Sequence, residues 1–567
     1  MLDEKQATAI PTPAWAQMPA SNCFRRYWKL LLLAAAIVAA SVHLAASRVH
    51  TARSLTAHHR FPSQAADTHP LPGEPRAHAF WDLLARAVEN GRPSFAELER
   101  DGDEQVIVYS LAAGAPAELP DVMAVSDDQL AELKAKHRDA RTDFEKMAPY
   151  LPLARGTRGI VMTAPDNAFA IMATSLRMLR ESGSSLPLEI WFWTRDDHDA
   201  HPCEHIFPAL DARCMFMCDF LPASMEVPLP NIRDSKFLNK IGAVLFSTFE
   251  QILFLDNDAF PVTNPDSIFT TAPFTTTGYV LWPDYWAVTS SPRFWDVAAT
   301  PAPDMLTRAS SESGELLINK ATHAPALLLT FYYNVYGDKL FYRLLSQGAP
   351  GEGDKETWLA AVRALDLPFY QVAEKPTHAG YHCGARAVPV GSIQHHPRDD
   401  LAITAAGINR ADPAADFIPQ APAPRPLFMH ANLPKLDPSL LLDWGAAQDD
   451  SFWPDMRRCA AGRGDAHRMW GPRRFALARF GWDVEKAVWD ALRWTACEHA
   501  ADYNVLRNGS FGRPPRRGGA LQMCRDMARF YDELLPDEVY SPKLPRIGAR
   551  KELPWGGVPL VDPSSTY

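Results

Sequence analysis

Strand-length apolar runs separated by a helix-length amphipathic run begin near residue 158 and set the class of fold. RGIVMTAPD (158–166) is an apolar run closed by a Pro-marked turn, FAIMATSLRMLRESG (169–183) has helical periodicity and stops at Gly183, and PLEIWFWT (187–194) is a second apolar strand. Strand, helix, strand is the rhythm of a right-handed parallel β-α-β unit, so an α/β sheet with helices on its faces is expected. NKIGAVLFSTFEQ (239–251) reads as a further helix, and ILFLDNDAFPV (252–262) as a buried strand running into an acidic tip. Ligand chemistry in such sheets sits at the carboxyl ends of the strands.

At that tip Asp256 and Asp258 stand two residues apart, so both side chains point to the same side of an extended chain. Neighbouring carboxylates at a strand end repel and desolvate badly. A divalent cation with a preference for hard oxygen ligands, Mn²⁺ or Mg²⁺, offsets both costs and can bridge to a diphosphate. The bland alternative is an acidic turn with two solvated aspartates. A phosphatase motif of the hhhhDxDx(T/V) kind fails, because Phe260 stands where it needs Thr or Val.

Four later segments bear on the same site. TGYVLWPDYWAVTSSP (277–292) surrounds Asp284 with aromatics, and Trp282 beside a carboxylate suits a sugar ring as well as it suits a core strand. ESGELLINKATHAPALLLTFYYN (312–334) reads as a Gly turn leading into a helix. GAPGEGDKETWLAAVRAL (348–365) combines a Gly/Pro loop, the acids Glu352, Asp354 and Glu356, and an apolar helix whose first turn acids also favour. PLFMHANLPKLDP (426–438) places His430 at the end of an apolar run and Lys435 five residues on. A histidine is a usual third ligand beside two carboxylates and a lysine a usual diphosphate partner, although a lone histidine after a strand is commonly a hydrogen-bonded core residue.

Outside this core the chain divides by composition. Residues 30–46, LLLLAAAIVAASVHLAA, carry no formal charge and would span about 25 Å as a helix. The long preceding arm, 1–29, ends in Arg25, Arg26 and Lys29 and favours an uncleaved signal anchor over a cleaved signal peptide. Residues 47–79 read as a flexible stem, 80–154 as a neck packed on the main domain with a polar, solvent-facing helix over 127–149, 155–445 as the main domain, and 446–567 as a helical accessory region. With 57 Lys and Arg against 67 Asp and Glu, the chain offers no overall positive field for nucleic acid.

Eight cysteines are too few for a disulfide scaffold. Cys203 with Cys214 or Cys218 could close a short loop, and a zinc site from Cys214, Cys218, His201 and His205 competes with that reading. Asn508-Gly509-Ser510 is a sequon compatible with lumenal glycosylation.

Taken in order, seven blocks resemble the fungal Golgi mannan-type α-mannosyltransferases (α-1,2 and α-1,3) of glycosyltransferase family 71: RGIVMTA, K-x-x-A-x-x-x-S-x-F-E over 240–250, LFLDNDAFPVTNPDSIF, TGYVLWPDYW, SGELLINK, YRLLSQGAPGEGDKETWLAA and LFMHANLPKLDP. The resemblance covers roughly residues 158–440. It implies a GT-A type, Rossmann-like nucleotide-sugar-binding domain behind a single N-terminal transmembrane helix and stem. It also implies a type II Golgi membrane protein with its catalytic domain in the lumen, GDP-mannose as donor, Mn²⁺ (or Mg²⁺) as cofactor, and retention of configuration. The family motif often reads D-A-D, and Asn257 replaces the middle residue here.

Carried over, Asp256, Asp258 and His430 would hold the metal. Thr163, Ala164 and Pro165 would border the nucleotide, with Lys240 and Lys435 on the donor diphosphate. Asp354, Glu356 and Asp284 become candidates for the sugar-facing side, and Trp282 with Asp284 for the acceptor. Expected partners are a mannosylated glycoprotein or mannan acceptor and a Golgi transferase complex or a second copy of the chain. Two other readings are a GT-A transferase using another nucleotide sugar, and a non-catalytic Golgi protein that binds glycans or scaffolds other transferases.

Overall fold

The structure, a computed structural model, describes residues 75–102, 106–107, 118–164, 168–195, 200–220, 237–304, 308–349, 352–383, 386–406, 423–432, 435–443, 468–499 and 519–548. All of these except Thr194 and Arg195 fall within one compact unit. The expected anchor at 30–46, Pro165 and the sequon at Asn508 lie outside the described residues. Among the described residues no helix is long and apolar enough to cross a membrane.

The centre is a mixed seven-stranded sheet. Its strands are β1 (Ala154–Thr163), β2 (Leu188–Phe192), β3 (Ala212–Phe216), β4 (Phe249–Leu255), β6 (Tyr279–Ala287), β7 (Ala309–Asn319) and β8 (Tyr370–Gln371), with the short β5 (Ala259–Pro261) assigned to a second sheet. Their spatial order is β8–β6–β7–β4–β1–β2–β3. β4, β1, β2 and β3 run parallel, as the β-α-β rhythm requires, and α3 (Phe169–Glu181) makes the crossover from β1 to β2. The sheet is not parallel throughout, because β7 is antiparallel to both β4 and β6. That arrangement overturns the expected Gly turn near 312–314: Gly314 sits inside strand β7.

Helices cover both faces of the sheet. On one face α1 (Pro75–Asn90), α2 (Asp127–Met147), α4 (Leu238–Phe246), α5 (Lys320–Val335) and α6 (Lys355–Ala364) enclose an apolar core that includes Trp81, Phe144, Phe246 and Tyr333. α1 begins inside the stretch expected to be stem, and Pro at its first position suits a helix start, where the missing N–H leaves no bond unmade. α2 is not simply solvent-facing: Leu130, Leu133, His137, Ala140, Phe144 and Met147 recur at spacings of three and four and are buried.

On the other face lie α3, the second sheet and the helices α7 (Arg473–Phe480), α8 (Val484–Glu498) and α9 (Gly519–Leu534), around Phe169, Phe428 and Trp489. The second sheet is antiparallel, in the order β9 (Thr377–Cys383), β10 (Arg386–His395), β11 (Pro426–His430), β5. Cys203 pairs with Cys214 and Cys497 with Cys524. The first disulfide removes Cys214 as a thiolate ligand and with it the zinc reading.

Candidate functional site

β4 carries Ile252, Leu253, Phe254 and Leu255, all fully buried, out of the core and ends at Asp256. The tip is fixed by backbone hydrogen bonds. The Asp256 amide donates to the Gly314 carbonyl at 2.8 Å, the Ala259 amide to the Asp256 carbonyl at 3.0 Å, and Ser175 Oγ on α3 to the Asn257 carbonyl at 2.7 Å. The chain then enters β5, which pairs with β11 so that Ala259 stands opposite His430, and the Ala431 amide donates to the Asp258 carbonyl at 2.9 Å. Residues more than 170 positions apart are thereby brought together by one strand pairing.

Asp256, Asp258 and His430 each offer one ligand atom, and these atoms lie within 4.8 Å of one another. Asp258 is 3% exposed and His430 8%. His430 Nε2 lies 3.2 Å from Asp258 Oδ1, and Lys435 Nζ contacts Asp258 Oδ2. Lys240, in the first turn of α4, donates to Asp256 Oδ2 at 3.0 Å, to the Ser313 hydroxyl at 3.1 Å and to the Ser313 carbonyl at 3.2 Å, with Asp354 at 3.9 Å.

Burial opposes charge throughout, and the neighbours decide each outcome. Burial raises Asp256, and repulsion from Asp258 adds to the rise despite Lys240. Asp258 is held well below the carboxylate range because His430 and Lys435 outweigh its burial. His430 is pushed up to about 10: burial favours the neutral ring, but Asp258, Glu315 and Glu312 prevail. Lys240 is likewise raised, its burial outweighed by Asp256, Asp354 and Glu312.

β7 supplies what sequence reasoning missed. Glu312 is half-buried, and its Oε1 accepts from the Ser313 amide at 2.8 Å and the Gly314 amide at 2.9 Å. His430, Lys240 and the Gly314 amide hold its carboxyl below the usual range in spite of burial. Glu315, fully buried, pairs across the sheet with Leu255. Lys355 donates to Asp284 Oδ2 at 2.9 Å on the β6 side of the cluster. One signal was present for Glu315, a charged residue next to an apolar strand run, the same feature that marked Asp256; Glu312, set among serines and a glycine, had none.

Other expected residues fall in different places. Thr163 and Ala164 end β1, whose Met162 is in register with Leu255, so they stand level with the acidic tip. Asp354 stands immediately before α6 and accepts from Trp358 Nε1 at 3.0 Å while facing Lys240. Glu356 does not face the cluster: it is buried against Arg308 Nη2 at 2.9 Å and takes the Ser311 amide, so both oxygens serve the fold. Trp282 is no sugar platform, because it is fully buried, packs edge-on against Phe428 at 5.3 Å, and donates from Nε1 to the His395 carbonyl at 2.8 Å. The exposed aromatic of that strand is Trp286.

The donor set suits a divalent cation: two carboxylates and one imidazole converge, and six carboxyl groups (Asp256, Asp258, Asp284, Glu312, Glu315, Asp354) face three lysines and one histidine. Residues 157–306 and 299–396 match Mannosyl_trans3, described as a family of mannosyltransferases. Together the two matches span residues 157–396, and over that stretch the chain resembles this family.

Curated relatives carry mannosyltransferase names. "Alpha-1,2-mannosyltransferase MNN24" of Candida albicans is 31% identical over 66% of this chain and 60% of its own length, and "Alpha-1,2-mannosyltransferase MNN21" of the same organism is 28% identical over 76% and 72%. "Alpha-1,2-mannosyltransferase MNN2" of Saccharomyces cerevisiae is 30% identical over 51% and 53%. The chain thus spans about three fifths of the length of the first of these relatives. Solved structures of the galactosyltransferase LgtC with donor and acceptor sugar analogs (12% identity, TM-score 0.26, 38% of this chain and 73% of that one) and of mouse xyloside xylosyltransferase 1 (15%, 0.25, 38% and 84%) are similar only at a level too low to bear on the reading.

Proposed function

We propose that the chain is an α-mannosyltransferase with a GT-A type catalytic domain, anchored as a type II protein in the Golgi membrane, that transfers mannose from GDP-mannose to an α-mannoside acceptor on glycoprotein or cell-wall mannan. One observation carries this reading: Asp256, Asp258 and His430 converge at the carboxyl end of a central strand, the place where α/β sheets handle ligands. The family match and the names of the curated relatives support the sugar. The apolar run at 30–46 supports the anchor.

In this reading Asp256, Asp258 and His430 hold Mn²⁺ or Mg²⁺, which when bound supplies positive charge where the departing diphosphate becomes more negative. Lys240 and Lys435 add cationic hydrogen-bond donors beside the same carboxylates, where a diphosphate is drawn. Thr163 and Ala164 border the nucleotide on the β1 side of the tip. Asp284, held by Lys355, stands two strands away on the β6 side, towards the acceptor. Asp354 positions Lys240 and the first turn of α6 rather than the sugar. The carbon–oxygen bond to the diphosphate breaks, the acceptor oxygen bonds the same carbon, and its proton leaves with the departing group. An α-linked donor and an α-linked product mean retention.

The test uses the full-length chain in detergent with GDP-mannose, Mn²⁺ and α-mannobiose, beside an EDTA control and Asp258→Ala. A product one hexose heavier that disappears with EDTA and in the variant is the expected result. Turnover of another nucleotide sugar in its place would overturn the donor assignment, and neither product nor nucleotide binding would overturn the enzyme reading.

A further inference from the structure

Glu315 is a fully buried carboxyl group, neither of whose oxygens has a hydrogen-bond partner. Such a group is costly to fold around, because it gives up water without gaining a donor. Beside it lies His430 Nδ1, 4.0 Å from its Oε1, too far for a hydrogen bond, and that nitrogen also lacks a hydrogen-bond partner. Across the ring, His430 Nε2 faces Asp258 Oδ1 at 3.2 Å. Two orphaned atoms therefore oppose each other on the side of the imidazole away from the carboxylate pair.

The surroundings leave the ring little other freedom. Its backbone is fixed by pairing with Ala259 on one side and Ser392 on the other. Its Cε1 and Nδ1 lie over Gly314, where a Cβ would come within 2.8 and 2.9 Å of them. Glu315 is itself fixed on β7 by its pairing with Leu255, one residue before Asp256. What these contacts do not set is which nitrogen carries the proton.

We propose that Glu315 is a positioning residue for His430: its carboxyl faces Nδ1 across 4.0 Å, favours a proton on that nitrogen, leaves Nε2 as the nitrogen directed towards Asp258, and thereby completes the divalent-cation site formed with Asp256 and Asp258. An imidazole that ligates a metal through one nitrogen ordinarily gives its other N–H to a carboxylate or carbonyl, and loss of that partner weakens metal binding about 10–100-fold. The role explains why a buried acid directly precedes the apolar run Leu316–Ile318 of β7. It rests on the metal-site reading above, and the experiment separates the two.

The full-length chain in detergent is titrated with Mn²⁺ alone, and the free ion is followed by electron paramagnetic resonance, for the native protein, Glu315→Gln and Glu315→Asp. Thermal unfolding of each is measured without metal. The expected result is Mn²⁺ binding about 10–100-fold weaker in Glu315→Gln, partial recovery in Glu315→Asp, and a metal-free Tm for Glu315→Gln equal to or above that of the native protein, since neither oxygen of the carboxyl it replaces has a hydrogen-bond partner to lose. A merely structural carboxylate would lower Tm when replaced, and that outcome overturns the inference. Equal Mn²⁺ affinity in the native protein and Glu315→Gln overturns it while sparing the metal site. No Mn²⁺ binding by the native protein overturns both.

Discussion

Asp258 touches a histidine and a lysine at once, whereas among the described residues Asp256 forms an ion pair with Lys240, so the two aspartates are not equivalent despite their spacing. Replacing Asp258 by Asn leaves His430 buried with weaker compensation and removes a carboxylate from the proposed cation site. Activity is expected to fall by at least about 100-fold, as for loss of other charged groups that stabilise a transition state, in an assay of hexose transfer. Glu312 makes a different prediction. Its Oε1 is already held by two amides, so Glu312→Gln keeps the backbone geometry and removes one negative charge from a ring containing Lys240, Lys355 and His430. Transfer is expected to drop roughly 10–100-fold while Mn²⁺ affinity stays within about threefold, read by steady-state kinetics and metal titration. At this scale the sequence revealed what is local. Asp256 and Asp258 share one strand end, and their cost in the absence of a cation can be argued from the residues alone. Glu312 and Glu315 could not be placed that way, because their role depends on β7 lying against β4 with Glu315 opposite Leu255. Read as a turn, ESGE has no such neighbour.

The elements show the same limit with the opposite sign. Trp282 beside the carboxylate of Asp284 suits a sugar ring on sequence alone, yet in β6 the indole packs on Phe428 and donates to the His395 carbonyl. Trp282→Ala is therefore expected to cost about 3–5 kcal/mol of stability, measured by urea unfolding, as for other large buried aromatics. A specific rise in acceptor KM without loss of stability would contradict that placement. In α2, the polar composition suggested a solvated helix, but the 3–4 spacing of its few apolar residues is what packs it against α5, with His137 Nε2 2.7 Å from the Tyr333 hydroxyl. Burial first, and Arg141 second, push the His137 ring down to about 4. A histidine depressed from 6.5 contributes stability that is present above 6.5 and lost as pH falls towards 4, because only the unfolded chain takes up the proton in that window. His137→Gln, which can still bond Tyr333, lacks this linkage. The stability advantage of the native protein over the variant is expected to shrink by about 1 kcal/mol between pH 7.5 and 5.5 in parallel urea titrations.

Across the whole molecule, the acidic tip is supported from both faces of the sheet. α4, carrying Lys240, belongs to one core, while α3, whose Ser175 holds the Asn257 carbonyl, belongs to the other. α3 is in turn braced by the C-terminal region: Arg177 donates to the Ser541 carbonyl at 2.6 Å and lies 5.4 Å from the Trp494 ring of α8. α8 and α9 are joined by Cys497–Cys524. Nothing in the composition of 446–567 disclosed this support, since its link to the site runs through backbone carbonyls and a helix packed beneath the tip. The disulfide closes a loop with a sequence separation of 27, for which chain entropy alone gives about 3–4 kcal/mol. A Cys497→Ser, Cys524→Ser variant is expected to lose roughly that much stability against urea, followed by tryptophan fluorescence. The loss should fall on the C-terminal helices and α3 before it reaches the β4 tip, whose other contacts, to Gly314 and β11, are independent of the bridge. Transfer activity at 25 °C should thus survive the substitution within a few-fold and fail at a lower temperature than in the native protein. Complete loss of activity in a variant that still shows the native tryptophan spectrum would mean that the C-terminal helices act on the site directly, and not through α3.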